Sequence, residues 1–324
     1  MRAVHALWAL AELLLLGLIS QTSFAWNSSD PPREESPPPR FELIKTFVPW
    51  DLHQSKLDSL SGGLTQRLPY RMAMDSHGRI LVTDPMLSVV HVLDLETRKW
   101  WQIRGDRQHR MARPAYITVD GEDNIYVSDL LQGVVFVFQP DGRFKRWIGM
   151  GSLHVPSGVW VDKQNGRLYV ADWVESRIVS FDLEGTPLQA FGGWGREPGQ
   201  LSHPRDVVVQ GDTVIVLDAG NLRFTTFDLQ GRFRGVRPFG YDRNPTSFAS
   251  DATGNLYYFD SISNGLLAVD EKGKLIAGFG QLPYGTTTIR PRFRCIFMED
   301  RGRIFALRPT FEIDLFRLVS DAEE

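Results

Sequence analysis

Cysteine is nearly absent from this chain: Cys295 stands alone among 324 residues. One cysteine cannot form an internal disulfide, so the fold must be held by its core. An excess of positive charge is missing as well. The 36 Lys and Arg against 39 Asp and Glu leave a formal net charge of -3, which argues against a nucleic-acid partner, because such a partner calls for a basic surface. Beyond the first 25 residues there is no long apolar run, so no membrane span is expected once those residues are removed. No Ser-His-Asp order, glycine-rich phosphate loop or Cys-His pair stands out, which leaves the common nucleophilic and nucleotide-binding chemistries without their residues.

What is present at the ends reads as processing and tether. Residues 1–25 resemble a signal peptide: Arg2 gives a positive start, Leu13 to Ile19 are apolar, and Ser23 and Ala25 are the small residues a signal peptidase reads. Glu12 interrupts the apolar stretch, and an uncleaved anchor is the alternative. Asn27-Ser28-Ser29 matches a glycosylation acceptor. Residues 26–40, rich in Pro and Ser, bury almost nothing and are expected to be a disordered tether, and residues 320–324 an acidic tail. An exported protein is expected, extracellular or periplasmic, and a monomer.

Between the ends one pattern recurs. Pro69 to Asp75, Gly78 to Asp84 and Val89 to Asp94 are three short words rich in apolar residues, and equivalents return from Pro114, Pro156, Pro204, Pro245 and Phe293. The Asp closing the second word falls at 84, 129, 172, 218 and 260, spacings of 45, 43, 46 and 42, and Arg308 takes the place 48 further on. Each word has strand composition, and Asp-Gly, Asn-Gly and Glu-Gly pairs supply hairpin turns. A fourth word follows in five copies (Trp100 to Ile103, Phe144 to Ile148, Leu188 to Phe191, Phe233 to Val236 and Leu275 to Phe279). A period of 40 to 50 residues with four short strands, here a to d, predicts propeller blades. The sixth copy lacks strand d, and Phe41 to Phe47 reads like Lys274 to Phe279. The prediction is an all-β, six-bladed β-propeller over residues 41–319, with four antiparallel strands per blade. An N-terminal strand completes the last blade and closes the ring, which removes an open edge.

The wording Pro-x-x-(aliphatic)-x-Val-Asp, Gly-x-Ile/Leu-Tyr-Val-x-Asp and Phe-Asp-x-x-Gly resembles the NHL-repeat family, most closely at Gly199 to Val209 and Asp218 to Arg223. The resemblance covers about residues 41 to 318 and implies the fold rather than an activity, because NHL propellers include scaffolds and partner-binding modules and, among relatives, lyases and lactonases.

In such a ring strand a lines the central channel, and the d–a and b–c loops share its mouth. The residue two after each opening position is Arg71, Tyr116, Gly158, Asp206, Ser247 or Cys295, and strand alternation is expected to point these six at the channel. Arg71 and Asp206 come from opposite blades and make either a ligand site with one cation and one anion or an ion pair that plugs the channel. The next channel positions, Ala73, Thr118, Trp160, Val208, Ala249 and Phe297, are mostly apolar. Trp50, Trp173, Trp194, Tyr241 and Tyr284 fall on mouth loops, where they either contact a sugar or peptide or seal the blades. The candidate ligand residues are therefore Arg71, Tyr116, Asp206, Ser247, Trp173 and Trp194. The 48–68 loop is the longest at the mouth, a frequent mark of function.

No catalytic residue, metal or cofactor is expected. His109, His154 and His203 lie on successive d–a loops but at unequal positions. The lactonase-like relatives imply a calcium held by a Glu near the first strand a and an Asn in a Pro-Asn-Gly stretch; Arg71 and Ser157 stand at those places. The expected role is a non-catalytic binding or scaffold module for a protein, peptide or carbohydrate, acting through the channel mouth. The alternative is a divalent-metal hydrolase or lyase, lactonase-like or amidating-lyase-like, using the same mouth.

Overall fold

A computed structural model of the protein describes residues 40–47, 69–239, 243–262, 265–279, 293–299, 303–309 and 311–319. The leader, the tether up to residue 39, the 48–68 loop with Trp50, Tyr241, Tyr284 and the acidic tail lie outside the described residues.

Six four-stranded antiparallel sheets form the ring. Strand β1 (Arg40–Phe47) comes first in the chain and belongs to the last sheet. The first blade holds β2 (Met72–Met74), β3 (Ile80–Asp84), β4 (Val89–Asp94) and β5 (Lys99–Ile103), and the second holds β6 (Pro114–Val119), β7 (Ile125–Asp129), β8 (Val134–Phe138) and β9 (Phe144–Ile148). The third holds β10 (Pro156–Asp162), β11 (Arg167–Asp172), β12 (Arg177–Asp182) and β13 (Pro187–Gly192), and the fourth β14 (Pro204–Gln210), β15 (Thr213–Asp218), β16 (Arg223–Asp228) and β17 (Phe233–Pro238). The fifth has β18 (Pro245–Ser250), β19 (Leu256–Asp260), β20 (Gly265–Val269) and β21 (Leu275–Phe279); the sixth has β22 (Cys295–Met298), β23 (Ile304–Leu307) and β24 (Ile313–Val319). Among the described residues the only helical element is a 3-10 turn, Ala219–Asn221, and no helix is long and apolar enough to cross a membrane.

The middle two strands of each blade are apolar on both faces because each sheet is covered by a neighbour on either side. Val82, Val90, Val127, Val135, Phe136, Leu168, Val170, Val216 and Leu267 are all sealed from solvent. The outer strands alternate instead, as in Pro187–Gly192, where only every second residue is even half-buried.

The Asp ending each second strand is a clamp. Asp129 is fully buried and accepts four backbone N–H bonds, from Leu131 and Gln132 of its own b–c loop and from Ala112 and Arg113 at the entry to strand a. Asp172 receives N–H bonds from His154 and Val155, Asp218 from Ser202, and Asp260 from Asn244, so the same side chain ties the two loop sets of one face in blade after blade. In the sixth blade the polarity is reversed. Arg308 occupies the clamp position and donates from Nε and Nη2 to buried Asp314 at 2.8 and 2.6 Å.

Strand β1 pairs antiparallel with β24, with Phe41 opposite Leu318 and Phe47 opposite Ile313. Phe41 is buried against Tyr257 of the fifth blade, Phe47 stacks on Phe305, and the Thr46 hydroxyl donates to Asp314 Oδ1 at 2.6 Å. Deleting this strand would expose those contacts and a full sheet edge. A chain beginning at Trp50 is therefore expected to melt lower by roughly 10 °C or more, as followed by circular dichroism; an unchanged melting curve would contradict the closure.

Candidate functional site

The inner strands surround a cavity of about 400 Å³. Its lining runs from Arg71, Tyr116, Asp206 and Ser247 down the inner strands to Asp162, Lys163, Gln164 and Gly211 in the a–b turns. The walls therefore extend to the end of the channel opposite the d–a and b–c loops. Both faces of the inner strands contribute, Met72 beside Ala73 and Val208 beside Val209, because a blade meets the channel with its edge rather than a face. Simple alternation is thus too strict here, and two of the six positions expected to face the channel do not line the cavity. Cys295 is completely buried in the apolar cluster between the sixth and first blades, where burial pushes its thiol up to about 12. At Gly158 an added Cβ would come within 2.6 Å of the Asp206 Cα, so the third blade lies backbone to backbone against the fourth.

Arg71 stoppers the upper end. Its guanidinium lies between the rings of Tyr70 and Tyr116, 4.3 Å from each centroid. Nη1 donates to the carbonyls of Tyr70 (3.0 Å) and Arg294 (3.4 Å), and Nη2 donates to the Tyr116 hydroxyl (2.7 Å) and the Thr246 carbonyl. One side chain thereby joins the first, second, fifth and sixth blades across the channel. Its buried Nε has no partner among the described residues. Burial holds the Tyr116 phenol well above its ordinary pKa, so this ring is a neutral hydroxyl. Ser247 is turned to the sixth blade, donating to the Ile296 carbonyl and accepting the Ile296 N–H, both at 3.2 Å.

Asp206 is the exception in this ring. It is 7 % exposed, and among the described residues its carboxylate receives one hydrogen bond, from the N–H of its own neighbour Val207 at 2.9 Å. It forms no ion pair with Arg71 within 4.0 Å, so the plug weighed from the sequence is an arginine held by carbonyls and aromatic rings rather than an Arg–Asp pair. Burial raises the Asp206 pKa to about 7, against the opposing pull of Arg71.

Trp173 and Trp194 stand apart from the cavity. Trp173 packs against His203 with centroids 4.7 Å apart, and Trp194 is 75 % exposed on a loop bridged to Leu201. The three histidines are also separate. His109 stacks on Phe144 and bonds Asp106, His154 pairs with Glu175, and His203 meets Ser202 and Trp173. Ser157 is tied to the carbonyls of Ala171 and Pro204. Among the described residues one group of three metal-type ligands converges, Asp75, His77 and Asp123 on two a–b turns. Its atoms are already engaged: Ser76 Oγ and His77 Nδ1 meet Asp123 at 2.6 and 3.0 Å, and Arg79 Nε donates to Asp75. Sequence reasoning missed Tyr70, the second ring around Arg71; the signal was an aromatic beside a channel arginine, but strict alternation placed it off the channel.

A ring of six four-stranded sheets with an arginine-stoppered channel defines a six-bladed β-propeller. A protein family described as a 6-bladed beta-propeller matches residues 79–191. Protein brain tumor of Drosophila melanogaster is 30% identical over 135 residues, 40% of this chain and 13% of that protein. The E3 ubiquitin-protein ligase NHLRC1 of Homo sapiens is 29% identical over 135 residues, 38% of this chain and 34% of that protein. The chain thus spans about a third or less of these relatives' length. Among solved structures, a gluconolactonase from Xanthomonas campestris has a TM-score of 0.61 at 16% identity, over 87% of this chain and 95% of that one, a likeness of fold alone. The chain is a six-bladed β-propeller whose repeats are similar, over part of their length, to those of these relatives.

The raised pKa of Asp206 fixes a sign. Between its unfolded value near 4 and about 7 the folded protein holds a proton that the unfolded chain has lost. Stability contributed by this group is therefore present below pH 4 and is lost as pH rises toward 7. Asp206→Asn is expected to leave the melting temperature at pH 4 nearly unchanged and to raise it at pH 8, which parallel thermal melts would show; a lower melting temperature at pH 8 would mean that the ionised carboxylate is stabilising.

Proposed function

We propose that this propeller is a non-catalytic binding module that engages a protein or peptide through the face made by its d–a and b–c loops. The observation that carries this reading is a repeated exposed apolar side chain. Two residues after the clamp Asp, the b–c loops present Met86 (61 % exposed), Leu131 (58 %), Val174 (50 %) and Ile262 (41 %). Met150 and Trp194, on d–a loops of the same face, add two more. The a–b turns present no exposed large apolar side chain among the described residues, so the feature belongs to one end of the ring. Exposed apolar side chains gathered at one end of a molecule suit a protein-binding surface.

Charge narrows the partner. The loop after β5 carries exposed Arg104, Arg107 and Arg110, while its one acid, Asp106, is engaged by His109 and the N–H of Gln108. Gly105, at φ +76 with the His109 carbonyl where a Cβ would sit, fixes the bend that presents them. Exposed apolar side chains on the loops of one face, with an arginine cluster on the same face, fit a peptide or loop that pairs aliphatic or aromatic residues with Asp and Glu. The leader-like first 25 residues place this encounter outside the cytoplasm in our reading.

Selection from a random peptide library on the purified protein is expected to enrich acidic, apolar sequences. Their affinity should fall tenfold or more in the Leu131→Glu, Val174→Glu double variant and remain in Phe233→Glu, which changes an exposed outer strand. Equal loss in both variants, or no enrichment, would overturn the reading.

A further inference from the structure

Asp206 and the cavity below it ask for a ligand that the binding face does not explain. The geometry points to a second site, in the channel and open toward the a–b turns, for a small organic cation: a primary ammonium on an apolar body, its charge on Asp206 and its body between Trp160 and Phe297. This inference is independent of the peptide-binding reading, which concerns the opposite end of the ring.

The end wall of the cavity has one unsatisfied acceptor. Tyr116 receives a hydrogen bond from Arg71, Ser247 is bonded to Ile296, and Arg71 is occupied by three carbonyls and a hydroxyl. Asp206 is more than nine-tenths buried, lines the cavity and takes a single N–H, leaving Oδ2 without a donor among the described residues. A buried carboxylate in that position needs either a proton or a cation, and an ammonium supplies charge-assisted donors that an alcohol or amide does not.

Charge balance supports the same choice. A carboxylate titrating near neutral pH carries a proton part of the time; an ammonium that replaces it leaves the total charge beside Arg71 unchanged. The walls below are mostly apolar or aromatic at the inward positions, Ala73, Trp160, Val208, Ala249 and Phe297, with Thr118 as the polar member of that ring. Trp160 and Phe297 are only partly buried in the protein itself, so their rings offer area to an alkyl chain or a second aromatic. The entrance favours cations as well. Asp162 lines it beside one cation, Lys163, and every a–b turn carries a carboxylate, while Arg79, Arg303 and Arg234 there are paired with Asp75, Glu299 and Asp212. The cavity volume of about 400 Å³ falls in the range of small-ligand pockets, and its other end is closed by Arg71, so the ligand enters and leaves by the a–b side.

Titration calorimetry on the full chain tests this with phenethylamine and hexylamine, against 2-phenylethanol and 3-phenylpropionate. Both amines are expected to bind at pH 8, the alcohol at least tenfold more weakly and the carboxylate not at all. Amine affinity should fall roughly tenfold for each pH unit below 7, as the proton reclaims Asp206. Asp206→Asn should lose tenfold or more in affinity together with this pH dependence. Ala249→Phe, which fills the cavity and keeps Asp206, should abolish binding, and Leu131→Glu should not change it. Binding of amine and alcohol alike, amine binding retained in folded Asp206→Asn or Ala249→Phe, or no amine binding would overturn the assignment. If either variant fails to fold, the comparison of amine with alcohol on the unaltered protein decides it.

Discussion

A ring of sheets has no stable partial form at its seam: the last blade must find a fourth strand or leave a row of unpaired N–H and C=O groups against the first. Strand Arg40–Phe47 meets that requirement by pairing along Ile313–Val319, and much else in the molecule depends on it. The seam side chains are chosen for both neighbours. Phe41 reaches into the fifth blade through Tyr257, Phe47 lies on Phe305, and Thr46 donates to the same Asp314 that neutralises Arg308. Closure and the sixth clamp are therefore one network. With no disulfide available, this non-covalent latch is what joins the two ends of the folded chain.

Closure also makes the channel, and the channel has two unlike ends. At the upper end Arg71 spans four blades through carbonyls and two tyrosine rings, so the passage is blocked by a residue that is itself well satisfied. Below it the inner strands leave a cavity with one poorly satisfied carboxylate. The contrast within one ring of residues is informative. Arginine has five donors in a planar fork and finds partners on several blades at once, whereas a short carboxylate on one strand reaches only its own backbone. Gly158 presses the third blade against Asp206 and excludes water from that side, which is part of why burial dominates its titration.

The outward face of the same ring is organised by the clamp aspartates. Asp129 and Asp260 spend their oxygens on backbone N–H groups of two loops, and the residue two after the clamp Asp is turned to solvent in the first, second, third and fifth blades. Met86, Leu131, Val174 and Ile262 are those residues. A structural repeat thus produces a surface repeat, and the surface repeat is what the proposed partner would read. The two proposed sites, one on this face and one entered from the other, use different residues of the same six units.

The sequence by itself determined the fold class, the number of blades, the four strands in each and the return of the N-terminal strand to the last blade, because these follow from strand composition, turn residues and a period repeated five times over. It also placed Arg71, Tyr116, Asp206 and Ser247 around one channel. Only the tertiary structure decided which of these are spent and which are open. Register and alternation fix where a residue sits along a strand, but hydrogen-bond partners come from blades far away in the chain: Thr246 and Arg294 for Arg71, Ile296 for Ser247. Alternation also assumed that an inner strand shows the channel one face, and an edge-on strand does not, so Cys295 fell into the core and Tyr70 came to flank Arg71. The direction in which the cavity opens was beyond the sequence for the same reason, since it depends on which end of the ring happens to be filled by a long side chain that the local pattern cannot aim.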